Sequence, residues 1–304
     1  MHGNFVPSFS CYVLDKVDKD IRNGTMAQNM PDYSEMMEKA KEDIQCATEV
    51  WSDILPEVLG SRLESMYGKG SALKPWDSHI DYVPIISDID IHISLKDDEP
   101  LFGSSSHDFD IALNISQKCE DEFVHRRPEH LHIPRMQVIE TRFLVKNEKY
   151  TPPRPQDIIV LYGNPPTHKV PPPDVIRAVD LERICELEEY VDDMPRTIID
   201  RTGLDWWSII RTMSWRVSPS PVRILTQNHG NPIEVWSWNR TRIHKTLIEE
   251  GFDKLAEYYH GFYDAGWRLY LSDFKGLKEF RETARNGYYV LMESLSVAEK
   301  FRSK

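Results

Sequence analysis

Apolar and polar residues follow two rhythms along this chain, one of helical spacing and one of strict alternation. Met36, Ala40, Ile44, Ala47, Val50, Trp51 and Ile54 recur at helical spacing, and Asp32 with Glu35 ahead of them makes a capping-box pattern. A helix of about five turns is expected there, with Pro56 following its end closely. A second short helical stretch over 58–66 leads into Tyr67-Gly68-Lys69-Gly70-Ser71. From Ser87 to Ile93 the rhythm becomes period two, which predicts a strand with Ile89, Ile91 and Ile93 on one face and Asp88, Asp90 and His92 on the other. Residues 109–123 read as a helix. Residues 132–145 read as a strand with Met136, Val138 and Glu140 on one side, and 157–162 as a short strand closed by Gly163-Asn164-Pro165-Pro166.

The pattern changes at Pro171-Pro172-Pro173, a stiff extended tripeptide suited to a hinge. Beyond it the spacing is helical over 174–191, 206–217, 240–249, 252–271 and 287–301, with a long Pro-, Gly- and Asn-rich loop expected over 219–232. The expected organisation is an extension over 1–30, a domain of sheet and helices over 31–170, and an all-helical domain over 171–304. The fold class is therefore α+β.

Composition narrows the classes of function. Hydrophobic residues make up 40% of the 304 and aromatic ones 11%, as in a globular chain. The four cysteines show no C-x-x-C pair, which speaks against a zinc knuckle or a redox dithiol. No stretch approaches a membrane span, and 1–20 lacks the basic-then-apolar order of a signal peptide, so a cytoplasmic protein without a membrane partner is expected. The net charge of -12 argues against coating nucleic acid. Against that background the window 196–245 stands out, with eight Arg or Lys and three Asp or Glu. Arginines there are candidates to grip phosphate oxygens, while its five tryptophans suit helix packing better than base stacking.

Two carboxylates at i and i+2 on a strand project to one side with bases roughly 6–7 Å apart. Keeping both ionised calls for a strong positive partner, and hard oxygen ligands suit Mg2+ or Mn2+. Upstream, Gly70-Ser71 is a turn in which glycine lets the backbone approach an anion and free amides hold phosphate oxygens. Lys69 and Lys74 flank it and are candidates to meet a phosphate.

A Gly-Ser turn followed by an alternating strand with Asp at i and i+2 resembles the nucleotidyltransferase superfamily that includes DNA polymerase beta and the aminoglycoside nucleotidyltransferases. The resemblance covers about residues 33–165 and rests on Gly70, Ser71, Asp88 and Asp90. It implies a nucleotidyltransferase-fold mixed sheet followed by a helical domain that selects the acceptor. It implies that Gly70 and Ser71 contact the terminal phosphates of ATP or another nucleoside triphosphate, and that Asp88 and Asp90 hold metal ions. It also asks for a third carboxylate on a later strand, for which Glu140 is the first candidate and Asp157 the second. The gap from Ser71 to Asp88, carrying Trp76, Asp77, His79 and Asp81, is longer than the family's common spacing. The implied reaction is transfer of NMP to a hydroxyl or phosphate of a small-molecule or protein acceptor, with pyrophosphate leaving and two metals in line. A tRNA or other RNA nucleotidyltransferase and a catalytically silent nucleotide-binding regulator are the alternatives.

Overall fold

The alternating segment becomes the second strand of a four-stranded mixed sheet in the computed structural model, which describes residues 32–303. The extension expected over 1–30 lies outside the described residues. Helix α1 spans Ser34–Leu59, and the Ser34 N–H donates to Asp32 Oδ1 at 2.9 Å at its start. Pro56 lies inside α1, three residues from its end, where a lost backbone donor disturbs only the last turn. Of the helical stretch expected over 58–66, the first two residues close α1, Gly60–Arg62 is a 3-10 turn, and the remainder begins strand β1, Leu63–Lys69. Its short apolar run carries no period that separates strand from helix; partners on both sides decide the matter.

Strand β2, Ile89–Leu95, pairs antiparallel with β1, with Lys69 opposite Asp90. Strand β3, Met136–Glu140, runs parallel to β2 and reaches it through helix α2, Ser106–Arg126, whose Ser105 cap forms a capping box with Asp108. The second half of the strand expected over 132–145 is a short helix, α3, Thr141–Val145. Strand β4, Ile159–Gly163, pairs antiparallel with β1, giving the order β3-β2-β1-β4. One face of the sheet is covered by α1 and α2. Ile89, Ile91 and Ile93 are fully buried there with Ala40, Val50, Cys119 and Phe123. Burying a side chain of this size contributes about 1.5–3 kcal/mol, so the isoleucine face alone commits β2 to this orientation.

From Pro173 onward the chain is helical: α4 Pro173–Cys185, α5 Glu188–Ile199, α6 Trp206–Val217, α7 Pro219–Asn228, α8 Pro232–Val235, α9 Arg240–Glu249, α10 Asp253–Leu271 and α11 Leu277–Arg302. Most of the stretch expected to be a loop over 219–232 is helix α7. Its Pro219 and Pro221 fall in the first turn, where a missing N–H leaves no intrahelical bond unmade. A bundle core forms from Tyr259, Phe262, Tyr263, Trp267 and Phe280. None of the helices among the described residues is long and apolar enough to cross a membrane.

Residues 36–304 form one compact unit, so packing does not divide at the proline tripeptide. The long segment between Ser71 and Asp88 is the joint. Buried Asp81 accepts from the N–H groups of Asp77 and Ser78 and, across to α9, from the Thr241 N–H and hydroxyl, each of the latter at 2.7 Å. Trp76 stacks on Tyr82 with centroids 4.8 Å apart, and the Trp267 indole N–H donates to the carbonyls of His79 and Tyr82. Asp81→Ala leaves three backbone donors without a partner in a dry setting, and is expected to lower unfolding free energy by about 3 kcal/mol in urea denaturation. A change within about 0.5 kcal/mol, as for an ordinary surface position, would contradict this role.

Candidate functional site

Two tight turns deliver the polar face of β2 to a cleft of about 820 Å³. In the first, Gly70 has φ +103°, a left-handed conformation that L side chains rarely adopt, and a Cβ there would lie 2.9 Å from Asp90 Oδ2. Glycine is required twice over, by the backbone and by the carboxylate against it. In the second, Ile85 takes φ +68° while the Ser87 N–H donates to the Val83 carbonyl and the Ser87 hydroxyl accepts from the Val83 N–H. A β-branched residue in that region costs about 1–3 kcal/mol, and the turn holds because Ser87 is tied at both ends. Arg240, nearly inaccessible beneath the Tyr263 ring, binds both turns: it donates to Ser87 Oγ at 2.9 Å and to Ser71 Oγ at 3.0 Å.

Asp88 and Asp90 both line the cleft, as the alternation requires. Their surroundings differ. The Asp88 carboxylate is held by two guanidinium groups, Arg135 next to β3 and Arg211 on α6, the latter at 3.1 Å. Asp90 is pushed up to about 6, first by burial and then by the charge of Asp88, against the opposing pull of Lys69 opposite it in register. Ionised, it is the less compensated of the two. His92, next on the same face, accepts from or donates to the Tyr67 hydroxyl at 3.0 Å through Nδ1, and burial followed by the charge of Lys69 pushes it down to about 3, so it is neutral. Its Nε2 has no hydrogen-bond partner.

The candidate third carboxylate is not on this face. Parallel pairing sets Asp90 beside Gln137, His92 beside Ile139 and Ile93 beside Glu140, so Glu140 shares the isoleucine face, away from the cleft. It is buried there, accepting from the Leu101 N–H at 3.0 Å and paired with Arg142. The grouping of Met136, Val138 and Glu140 on one side holds; that side is the core. Asp157 does line the cleft, but it precedes β4 on the far side of β1 and is engaged bidentately by Arg154 at 2.6 and 2.9 Å. Among the described residues, no three His, Cys, Asp or Glu side chains form a group able to hold a metal ion.

Of the flanking lysines, Lys69 faces the cleft, whereas the Lys74 ammonium donates to the carbonyls of Trp236 and Trp238, at 2.8 Å each. Burial, then Lys69 and Arg240, push Lys74 down to about 8. Lys74 therefore anchors the turn to the helices and has one N–H left for a ligand. From the basic window, Arg211, Arg223 and Arg240 reach the site or its walls, while Arg196 and Arg242 lie on exposed surface with Asp193 and Glu234. Trp206 is buried in the bundle, but Trp215 is half exposed at the cleft with Arg211 over its ring. Gln137 and Arg135, which sequence spacing did not single out, enter through the β2–β3 register alone.

No family model and no curated protein matches this chain.

Because the Asp90 carboxyl is raised in the fold above the ~3.9 of an unfolded chain, folding favours its protonated form. The penalty is absent below about pH 4 and complete above about pH 6. In chelator, Asp90→Asn is expected to be more stable than wild type at pH 7 by about 1–3 kcal/mol, with the difference closing as pH falls to 4. Parallel stability–pH curves would remove the case for an under-compensated carboxylate.

Proposed function

We propose that the cleft is a nucleoside-triphosphate site of the nucleotidyltransferase type, taking ATP together with Mg2+ or Mn2+. The observation that supports this most is the approach of the Gly70 turn to the Asp90 carboxylate, close enough that a Cβ at position 70 would lie 2.9 Å from Oδ2. It brings the two halves of the motif, separated by the long joint, to one point facing one cavity.

The fit of a divalent cation rests on the donors present. Asp90 is a desolvated carboxylate lacking a clamp of its own, and Asp88 stands two residues away on the same face; both are hard oxygen ligands. They would hold the ion between them and the phosphate oxygens. A bound cation would supply charge compensation to the carboxylates and the triphosphate alike. The remaining work belongs to the chain. Gly70 lets the turn pass the Asp90 carboxylate where a Cβ would collide with it, and the Ser71 hydroxyl, accepting from Arg240, keeps its own proton to donate to a phosphate oxygen. Lys69 adds a positive charge on the neighbouring strand, and Arg211, by sharing Asp88, ties the helical half to nucleotide occupancy. Transfer of AMP to a hydroxyl or phosphate of a small molecule or protein, with loss of pyrophosphate, is the reaction implied when an acceptor is activated beside such a site.

Calorimetric titration with each of the four nucleoside triphosphates, with and without Mg2+, tests the reading. ATP binding is expected to require the cation and to weaken about tenfold or more in both Asp88→Asn and Gly70→Ala, each checked for native circular dichroism. Absence of binding by any triphosphate, or binding indifferent to both substitutions, would remove the proposal.

A further inference from the structure

We infer that Arg223, on the helical wall of the cleft, is the seat for an anionic group of the acceptor, so that the second substrate is an apolar molecule carrying a carboxylate or a phosphate and not a cation. This deepens the nucleotide reading above and rests on it for the role of acceptor; the seat itself rests on the surroundings of one side chain. Arg223 stands on α7 and lines the cleft with only 19% of its side chain exposed. Its Nε is buried without a hydrogen-bond partner, and the carboxylate beside it, Asp180, holds Oδ1 3.8 Å away, beyond hydrogen-bond distance. Asp180 is occupied elsewhere, since its Oδ2 accepts from the Thr226 hydroxyl at 2.9 Å and from the Trp236 indole N–H at 3.2 Å. A guanidinium desolvated without a matching acceptor is costly, and burial pushes Arg223 below its ordinary range. An oxyanion arriving from the cleft would complete it through two parallel N–H···O bonds.

The charges around the cleft separate this seat from the nucleotide end. Those acting on Arg223 are Asp180, Arg183 and Glu186, whereas Lys69, Asp88, Arg135 and Lys74 act on Asp90. One cavity thus holds two electrostatic surroundings. Its other cationic side chains are committed: Arg240 donates to the carbonyls of Ile80 and Asp81 and to Ser71 and Ser87, Lys74 donates to two carbonyls, and Lys69 stands opposite Asp90. Carboxylates for a cationic acceptor are not to hand. Among the described residues that line the cleft, the acidic ones are Asp88 and Asp90 at the nucleotide end and Asp157, gripped by Arg154. Around Arg223 the wall is apolar: the centre of the Trp236 ring lies 5.8 Å from the guanidinium carbon, and Val222 and Ile233 line the same cavity. Asp180 on α4, by holding the Trp236 indole N–H, fixes that ring beside the guanidinium. A single positive group set in an apolar wall selects an acceptor whose anionic group is attached to a hydrocarbon or aromatic body.

The test follows, by fluorine NMR, four probes built on one ring: para-fluorobenzoate, para-fluorophenyl phosphate, the neutral para-fluorobenzamide and the cationic para-fluorobenzylamine. Each is titrated into the full-length protein with and without saturating Mg2+ and the α,β-methylene analogue of ATP, which cannot release pyrophosphate. At least one of the two anions is expected to bind wild type, to bind Arg223→Met about tenfold or more weakly, and to exceed the amide and the amine by a similar factor. Which anion binds tells a carboxylate seat from a phosphate seat. Arg223→Met is expected to bind the ATP analogue within about threefold of wild type, which also shows that it folds. A larger loss with native circular dichroism would make Arg223 a triphosphate ligand and overturn the inference. Should Arg223→Met lack native circular dichroism, Arg223→Lys is read in the same arms, with anion binding weakened about threefold or more because the charge stays and the planar fork goes. Binding of neither anion, equal anion binding in wild type and variants, or preference for the amine would each overturn it as well. Failure of wild type to bind the ATP analogue would strike the nucleotide reading alone, because the probes are also read without nucleotide.

Discussion

Two carboxylates brought out of water on one side of β2 set the terms for the rest of this molecule. Their mutual repulsion and desolvation would favour neutralising one of them, and the fold meets the cost unequally. Asp88 receives guanidinium groups from the β3 side and from α6, so its charge also fastens the helical half to the sheet. Asp90 receives no such clamp, only neighbouring positive charge and the bare backbone of Gly70. That asymmetry leaves Asp90 the less compensated carboxylate of the two.

The same economy governs the joint between sheet and helices. A segment longer than a simple turn between Gly70-Ser71 and Asp88 is not slack; it presents Asp81 and the carbonyls of Ile80 and Asp81 to α9, and the carbonyls of His79 and Tyr82 to α10. Arg240 completes the link by donating to both turns that carry the motif. The turns of the cleft and helix α9 are thus joined by direct hydrogen bonds.

Local pattern was informative wherever a single element settled the matter. The period-two run over 87–93 placed Asp88, Asp90 and His92 on one face and the isoleucines on the other, because side-chain direction in a strand is set by parity alone. The Gly-Ser turn was legible because few residue types accept the backbone it needs. By contrast, 58–66 read as helix although strand β1 begins at Leu63, because a short apolar run has no distinguishing period, and 219–232 read as loop because two prolines at a helix start resemble two prolines in a coil. Lys74 looked like a phosphate ligand since nothing local reveals two carbonyls arriving from a segment more than a hundred residues away.

The sequence by itself thus determined the α+β class, the acidic face of β2 and the turn that meets it, all consequences of spacing within about a dozen residues. Only the tertiary structure decided which residue of β3 stands beside Asp90. Strand register is a property of two segments, and a shift of one residue exchanges core for cleft along the whole strand. That exchange put Glu140 in the core with Arg142 and Gln137 in the cleft. It decides whether a carboxylate or an amide stands beside Asp90.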